Sequence, residues 1–254
     1  MILNVLQTLD DFIGLEAEWN GLLESSIEDN PFQSFQWLVS WWQVYGSGEL
    51  HIVVCRDVET KELLGALPLY KQKINPLLPL TVLRMVGSGQ GSADFLGCLA
   101  VREKEREVYE KILEHLLGGL GTWDLIELQD MDSEVPFCRF LHAAGVKQME
   151  WGHSQVICCP YKQLPGSWDE LIKGISKKVR QRIGYYRRAL DKLGTVELEQ
   201  ITDNDTLPTA LIDMIRLRQD RLDQKGLPSK LVTEAYRHFH ELLMPAFLDD
   251  NRLQ

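Results

Sequence analysis

Apolar residues recur at two different spacings along this chain, and the switches between them mark its elements. The opening ILNVLQ, from Ile2, is a short apolar run of strand length. From Leu9 the spacing changes: Phe12, Leu15, Trp19, Leu22 and Leu23 fall on one helical stripe. The Asn30-Pro31 pair breaks the chain. A second helix follows, with Ser34 as N-cap and Gly46 just past its end. LHIVVCRD (from Leu50) and LLGALPLYKQ (from Leu63) read as strands joined by the charged turn VETKE, and LTVLRMVGSG (from Leu80) as another. SADFLGCLAV adds an extended piece. A helix then places Val108, Ile112, Leu113 and Leu116 on one face before Gly118-Gly119 ends it. WDLIELQDM reads as a strand, PFCRFLHAAGV as a short helix opened by Pro136, and QVICCPY as a strand. The expected class is α/β: a mixed sheet flanked by helices.

The texture changes at Pro160, Pro165 and Gly166, so a boundary is expected at residue 160, with one domain over 1–160 and a second unit over 161–254. Leu171, Ile175, Val179, Ile183, Tyr186 and Leu190 share one face of a single long helix from Trp168 to Gly194. TVELEQI reads as a strand, followed by two more helices. This strand and helix pair repeats the element order of the first 45 residues. An internal duplication whose second half is cut short is therefore expected, with its remaining strands beyond Gln254.

Composition narrows the classes. The net charge of −10 argues against a general nucleic-acid binder, and no run of eighteen apolar residues is present to insert stably in a membrane. The N-terminus has no basic segment or cleavage site of a signal peptide. The five cysteines, Cys55, Cys98, Cys138, Cys158 and Cys159, follow no CxxC or zinc spacing. They read as ordinary buried thiols of a cytoplasmic protein, with no metal site. None of the six histidines lies in HExxH or beside a GxSxG serine, and each reads as a surface or satisfied core residue.

The strongest charge feature is the helix from Lys173 to Lys192, which carries eight cations, among them Lys178, Arg180, Arg182 and Arg187, against the single acid Asp191. Charges of one sign at this density repel, so a compensating partner is expected. It is either acidic surface elsewhere in the fold, an anionic substrate such as a phosphate, or a membrane or nucleic-acid surface. Arg182 and Tyr186 lie one turn apart and can reach one ligand, the guanidinium gripping a phosphate and the hydroxyl donating to it. The one glycine-rich loop, VGSGQGSADF, matches neither a P-loop nor a dinucleotide fingerprint. It reads as a flexible strand connection or as a substrate loop, in which Asp94 is the one acid.

Phe32, Ser34, Trp37, Trp41, Trp42 and Gly46, then Gly65, Pro68 and Leu69, then SADFLG, and finally the basic helix SKKVRQRIGYYRRALDKLG resemble landmarks of a known family. It is the CelD-like branch of the GNAT acyltransferase superfamily, whose members resemble the FemABX aminoacyltransferases in carrying tandem GNAT-like domains. The resemblance implies a GNAT-like sheet followed by an incomplete second GNAT-like unit. It implies transfer of an acyl group from acetyl-CoA or another acyl-CoA to an amine or hydroxyl of a cell-envelope or exopolysaccharide precursor, a small-molecule or sugar-linked acceptor. Arg182 and Tyr186, with Asp94, Arg180, Lys178 and Trp41, would bind that substrate. The GNAT pattern that seats the donor pyrophosphate on a helix N-terminus is absent after VGSGQGSADF, so the donor site would belong to the second unit. The unfinished second sheet would expose an edge and favour a homodimer or a partner chain. A non-catalytic module docking an acidic partner or anionic surface through the basic helix is the alternative.

The stretch NPFQSFQWLVSWWQVYG makes a separate prediction. Phe35, Leu38, Val39 and Trp42 share one helical face, and Trp37, Trp41 and Val44 another, so this helix is apolar nearly all round. It is expected to be a structural plug between the first sheet and a neighbouring element, with Trp37 or Trp41 reaching a substrate as the other reading.

Overall fold

The computed structural model describes residues 1–74, 77, 80–119, 121–144, 152, 158–227 and 232–252. The strands are β1 (Ile2–Leu6), β2 (Glu49–Arg56), β3 (Leu63–Lys73), β4 (Thr81–Met85), β5 (Leu99–Ala100) and β6 (Leu125–Glu127). They form one mixed sheet in the order β1-β2-β3-β4-β6, with β5 paired to β3. The pairs β1–β2, β2–β3, β3–β4 and β3–β5 are antiparallel, and β4–β6 is parallel. Every residue from Leu50 to Cys55 is buried, as a strand covered on both faces requires. Pro68 stands where β3 changes partner, between Leu69↔Met85 on β4 and Ala66↔Leu99 on β5. A missing ladder donor costs least at such a gap. The glycine-rich loop bridges this gap.

The helices are α1 (Leu9–Ile13), α2 (Glu16–Ser25), α3 (Phe35–Tyr45), α4 (Glu105–Gly118), α5 (Pro136–Ala144), α6 (Trp168–Gly174), α7 (Lys177–Asp191), α8 (Leu207–Gln224) and α9 (Glu234–Asp249). The stripe expected as one helix after Leu9 is split at Gly14, which caps α1, yet Phe12, Leu15, Trp19, Leu22 and Leu23 are all buried as the spacing required. Ser34 caps α3, its hydroxyl accepting from the Trp37 amide at 3.3 Å. The plug reading of α3 holds: Phe35, Trp37, Leu38 and Trp41 are core residues, and the neighbouring element is α9. Trp37 meets Phe239 edge to face at 5.1 Å and lies 6.4 Å from Phe247.

The chain divides into two compact units. One comprises residues 1–146 and 201–254 and holds the sheet, α1–α5, α8 and α9. The other comprises residues 147–200 and holds α6 and α7. Four expectations need correction, three of them in this second stretch. The long helix is two helices, because Ser176 leaves the helical region and caps α7, its hydroxyl accepting from Val179 N at 3.4 Å. TVELEQI forms no strand: residues 195–200 are exposed and irregular, with no ladder partner among the described residues to satisfy their backbone. The expected burial of all five thiols holds for Cys55 and Cys98, whereas Cys138 is half-buried and Cys158 and Cys159 are exposed. Of the expected strand QVICCPY, residues 155–157 lie outside the described residues, and residues 158–161 form no strand.

Candidate functional site

β4 and β6 stay in register from Val82↔Leu125 to Arg84↔Glu127. Beyond that point both chains leave the sheet as loops, and the carboxyl ends of parallel strands are where α/β proteins build concave sites. The loop after β4 turns through left-handed backbone at Gly87, Gly89, Gly91, Ser92 and Phe95. It is tied to the loop after β6 twice. Gly89 N donates to Asp130 Oδ2 at 3.0 Å, and Leu96 N donates to Asp130 O at 2.9 Å. Trp41 supports it from α3: the indole is 1% exposed and its Nε1 donates to Gln90 O at 2.8 Å. Gly91 sits directly against Trp41, Tyr45 and Phe239. Asp94 is exposed on this loop.

Glu28, which sequence reasoning did not single out, is joined to Phe95 through the Asn30 side chain. The residue is 7% exposed. Its Oε2 accepts from Gln33 Nε2 at 3.3 Å, and its backbone oxygen accepts from Gln33 Nε2 at 3.2 Å and Asn30 Nδ2 at 3.0 Å. The same Asn30 amide donates to Phe95 O at 3.0 Å, so the Glu28 turn and the Asp94 loop are stitched together. Burial pushes the Glu28 carboxyl up to about 7, and neighbouring Asp132 pushes the same way. The Gln33 amide, the Phe137 backbone amide at the start of α5 and the Tyr109 hydroxyl pull the other way and do not prevail.

Gly97 makes this burial feasible. A Cβ there would lie 1.9 Å from Glu28 Oε2. Gly97→Ala is therefore expected to destabilise the fold by about 1–3 kcal/mol, the scale of overpacking. Glu28→Ala in the same chain should recover part of that loss. Urea denaturation of the two single variants and the double variant measures the coupling, and strict additivity would dissociate Gly97 from the carboxyl.

A second titratable cluster, also missed, lies where β2 meets α4. His51 Nε2 and His115 Nε2 are 2.9 Å apart, with ring centroids 5.2 Å apart and planes inclined by only 22°. The rings therefore meet end to end and share one proton. His51 Nδ1 is buried without a partner, so the tautomer that leaves this atom unprotonated is the cheaper one, and His51 donates from Nε2. Burial holds His51 down to about 4, helped by Lys71 and His115, and His115 is lowered for the same first reason. Trp123 packs on both rings and takes the Lys71 ammonium on its face at 5.4 Å.

In the second unit, Lys178, Arg180, Arg182 and Tyr186 all sit exposed on α7. Arg180 Nη1 donates to Ile172 O at 3.3 Å, closing the break between α6 and α7. Among the described residues none of the α7 bases is in an ion pair, and the first turn of α7 carries no acid. A helix start of this kind fits an anion. The start of α4 does not: Lys104 makes no side-chain cap, and Glu105 and Glu107 occupy its first turn, where they would repel a pyrophosphate. Among the described residues no group of three or more His, Cys, Asp or Glu is placed to hold a metal, and no helix is long and apolar enough to cross a membrane.

Comparison with known proteins gives three results. No curated protein matches the chain. Matches among solved structures include an aminoglycoside acetyltransferase from an uncultured soil metagenomic sample, with 15% identity and a TM-score of 0.40 over 63% of this chain and 100% of that one. Others are a ribosomal-protein-alanine N-acetyltransferase from Brucella melitensis biovar Abortus (12% identity, TM-score 0.37, 62% and 100%) and an aminoglycoside 6'-N-acetyltransferase from Acinetobacter baumannii (10%, 0.37, 65% and 100%). The family model described as an acetyltransferase (GNAT) domain matches residues 177–254. The segment from α7 through α9 is thus similar to a GNAT acetyltransferase domain.

Proposed function

We propose that the protein is a cytoplasmic GNAT-type acyltransferase of the CelD-like, FemABX-like kind. In this reading it moves an acyl group from acetyl-CoA or another acyl-CoA to an amine or hydroxyl of a cell-envelope or exopolysaccharide precursor. The observation that carries the reading is the family match over residues 177–254, which begins at the basic helix. Residues 161–254 are then the start of a second GNAT-like unit in sequence terms, whatever body each part packs into. The unpaired cations of α7 favour an acceptor with a phosphate or other anionic group, gripped by Arg182 with Tyr186 donating to it and Lys178 and Arg180 adding field. Asp94, exposed on the loop after β4, is the residue of the first unit proposed to meet substrate, with Trp41 as its support. In the transfer itself the acceptor nitrogen or oxygen attacks the thioester carbonyl, the C–S bond breaks, and the proton lost by the acceptor ends on the departing thiolate to give free coenzyme A. The protein's part is positioning and stabilising the oxyanion.

Calorimetric titration with acetyl-CoA tests the reading. Saturable binding, and turnover on an anionic amine acceptor, is the expected result. Arg182→Glu with Arg187→Glu should lower turnover by about tenfold or more, the worth of one lost charge-assisted hydrogen bond. The second reading, a non-catalytic module docking an acidic partner or anionic surface, is favoured by the glutamates at the start of α4. It predicts no acyl-CoA binding and only a salt-sensitive association that the same reversals abolish.

A further inference from the structure

Glu28 occupies an acceptor-rich pocket. Its own Oε1 and the Oε1 of Gln33 are both buried without a hydrogen-bond partner among the described residues. A proton on the carboxyl removes the charge from this buried site and gives Glu28 a donor beside these two unpartnered acceptors. Three segments converge on it. Gly97 brings the Asp94 loop to within a Cβ's width of the carboxyl, Tyr109 reaches it from α4, and the Phe137 amide reaches it from the start of α5. The Asn30 bond to Phe95 O fixes the Glu28 turn against the same loop, and the Ser26–Val101 bridge ties it to the residue after β5. We propose that Glu28 is a proton-operated latch: while it keeps its proton it pins the Asp94 loop and the start of α5 together, and losing the proton loosens both.

The charged and titratable neighbours agree with this direction. Asp132 on the loop before α5 repels the ionised carboxyl. The Tyr109 and Cys98 groups are themselves pushed up, with Glu28 among the causes, and so is Cys138. Arg102 donates to Ser26 O of this turn at 3.5 Å, and no salt bridge to Glu28 is found among the described residues. Among the described residues no cationic group therefore holds the carboxylate once it forms. Glu28 acts here as a positioning residue through the Asp94 loop. The inference stands on the first unit alone and does not depend on acyl transfer.

Amide hydrogen exchange of the full chain from pH 5 to pH 8.5, with no acyl-CoA present, tests it. A site that holds its proton up to about 7 when closed, and releases it when open, makes opening proton-linked. After correction for intrinsic rates, protection at residues 95–98 and 137–141 should fall roughly tenfold per pH unit from about pH 5 and level off near pH 7. Leu96, whose amide bonds Asp130 O, is the most direct reporter. In Glu28→Gln, a neutral isostere, protection should be independent of pH and at least equal to that of the native chain at low pH. Gly97→Ala, which drives the carboxyl out, should leave these amides weakly protected at every pH. Equal pH slopes in native and Glu28→Gln protein, or a flat native profile, would overturn the latch. Failure of acetyl-CoA to bind would leave it untouched.

Discussion

Trp41→Ala is expected to lower the unfolding free energy by about 3–5 kcal/mol, the range for a fully buried large aromatic. The indole packs against Tyr45 and Tyr70 at centroid distances of 6.0 and 5.7 Å and is 1% exposed. Its removal leaves a cavity and also strands the Gln90 carbonyl, which loses its Nε1 donor. The loss should appear as a lower urea midpoint with an unchanged m-value. Trp42→Ala is the internal comparison, because that ring is only half-buried and packs mainly on Tyr70 at 5.5 Å. Its cost should be clearly smaller. Unchanged stability in Trp41→Ala, together with lost ligand binding, would turn this residue from a support into a substrate wall.

The second large effect concerns pH. Glu28 has its carboxyl raised in the fold from 4.5 to about 7, so its contribution is fully present below pH 4.5 and is lost as pH rises through about 7. His51 is lowered from 6.5 to about 4, so its contribution is present above pH 6.5 and is lost as pH falls through about 4. Each shift is worth about 3 kcal/mol. Between pH 4.5 and 6.5 the two slopes oppose one another, with His115 adding to the histidine side. The native protein should therefore show a shallow pH dependence that conceals two steep ones. Glu28→Gln should expose the histidine slope, gaining about 1.4 kcal/mol per pH unit over that window. His51→Leu should expose the Glu28 slope, which has the opposite sign. Urea midpoints at pH 5, 6, 7 and 8 for the three proteins decide the matter, and three parallel profiles would contradict it.

Periodicity carried much of the architecture. The helical stripe at Phe12, Leu15, Trp19 and Leu22 and the nearly all-round apolar face of α3 are properties of consecutive residues, so burial followed from spacing. The break between α6 and α7 was harder to see, because the apolar stripe continues across Ser176 while the backbone does not. Glu28 was invisible for a different reason. Its burial depends on Gly97, some seventy positions away, and on the start of α5, and no local pattern marks either contact. The His51–His115 pair likewise joins a strand to a helix through a register that the sequence does not display. Of the expected substrate residues, Asp94 lies exposed on the loop after β4, and Trp41 supports the same loop from α3 through Gln90 and Gly91. Arg182, Arg180, Lys178 and Tyr186 form a separate cluster on α7.

The packing of α9 on α3 has a consequence for synthesis. Phe239, Leu243 and Phe247 complete a core that Trp37 and Trp41 begin about two hundred residues earlier. A nascent chain carrying only the sheet and α3 would expose those tryptophans to solvent. It would remain in that condition while α6, α7 and α8 are translated, and contacts this distant in sequence form late. The first body therefore closes only after α9 has left the ribosome. Until then the tryptophan helix is a ready-made site for a chaperone.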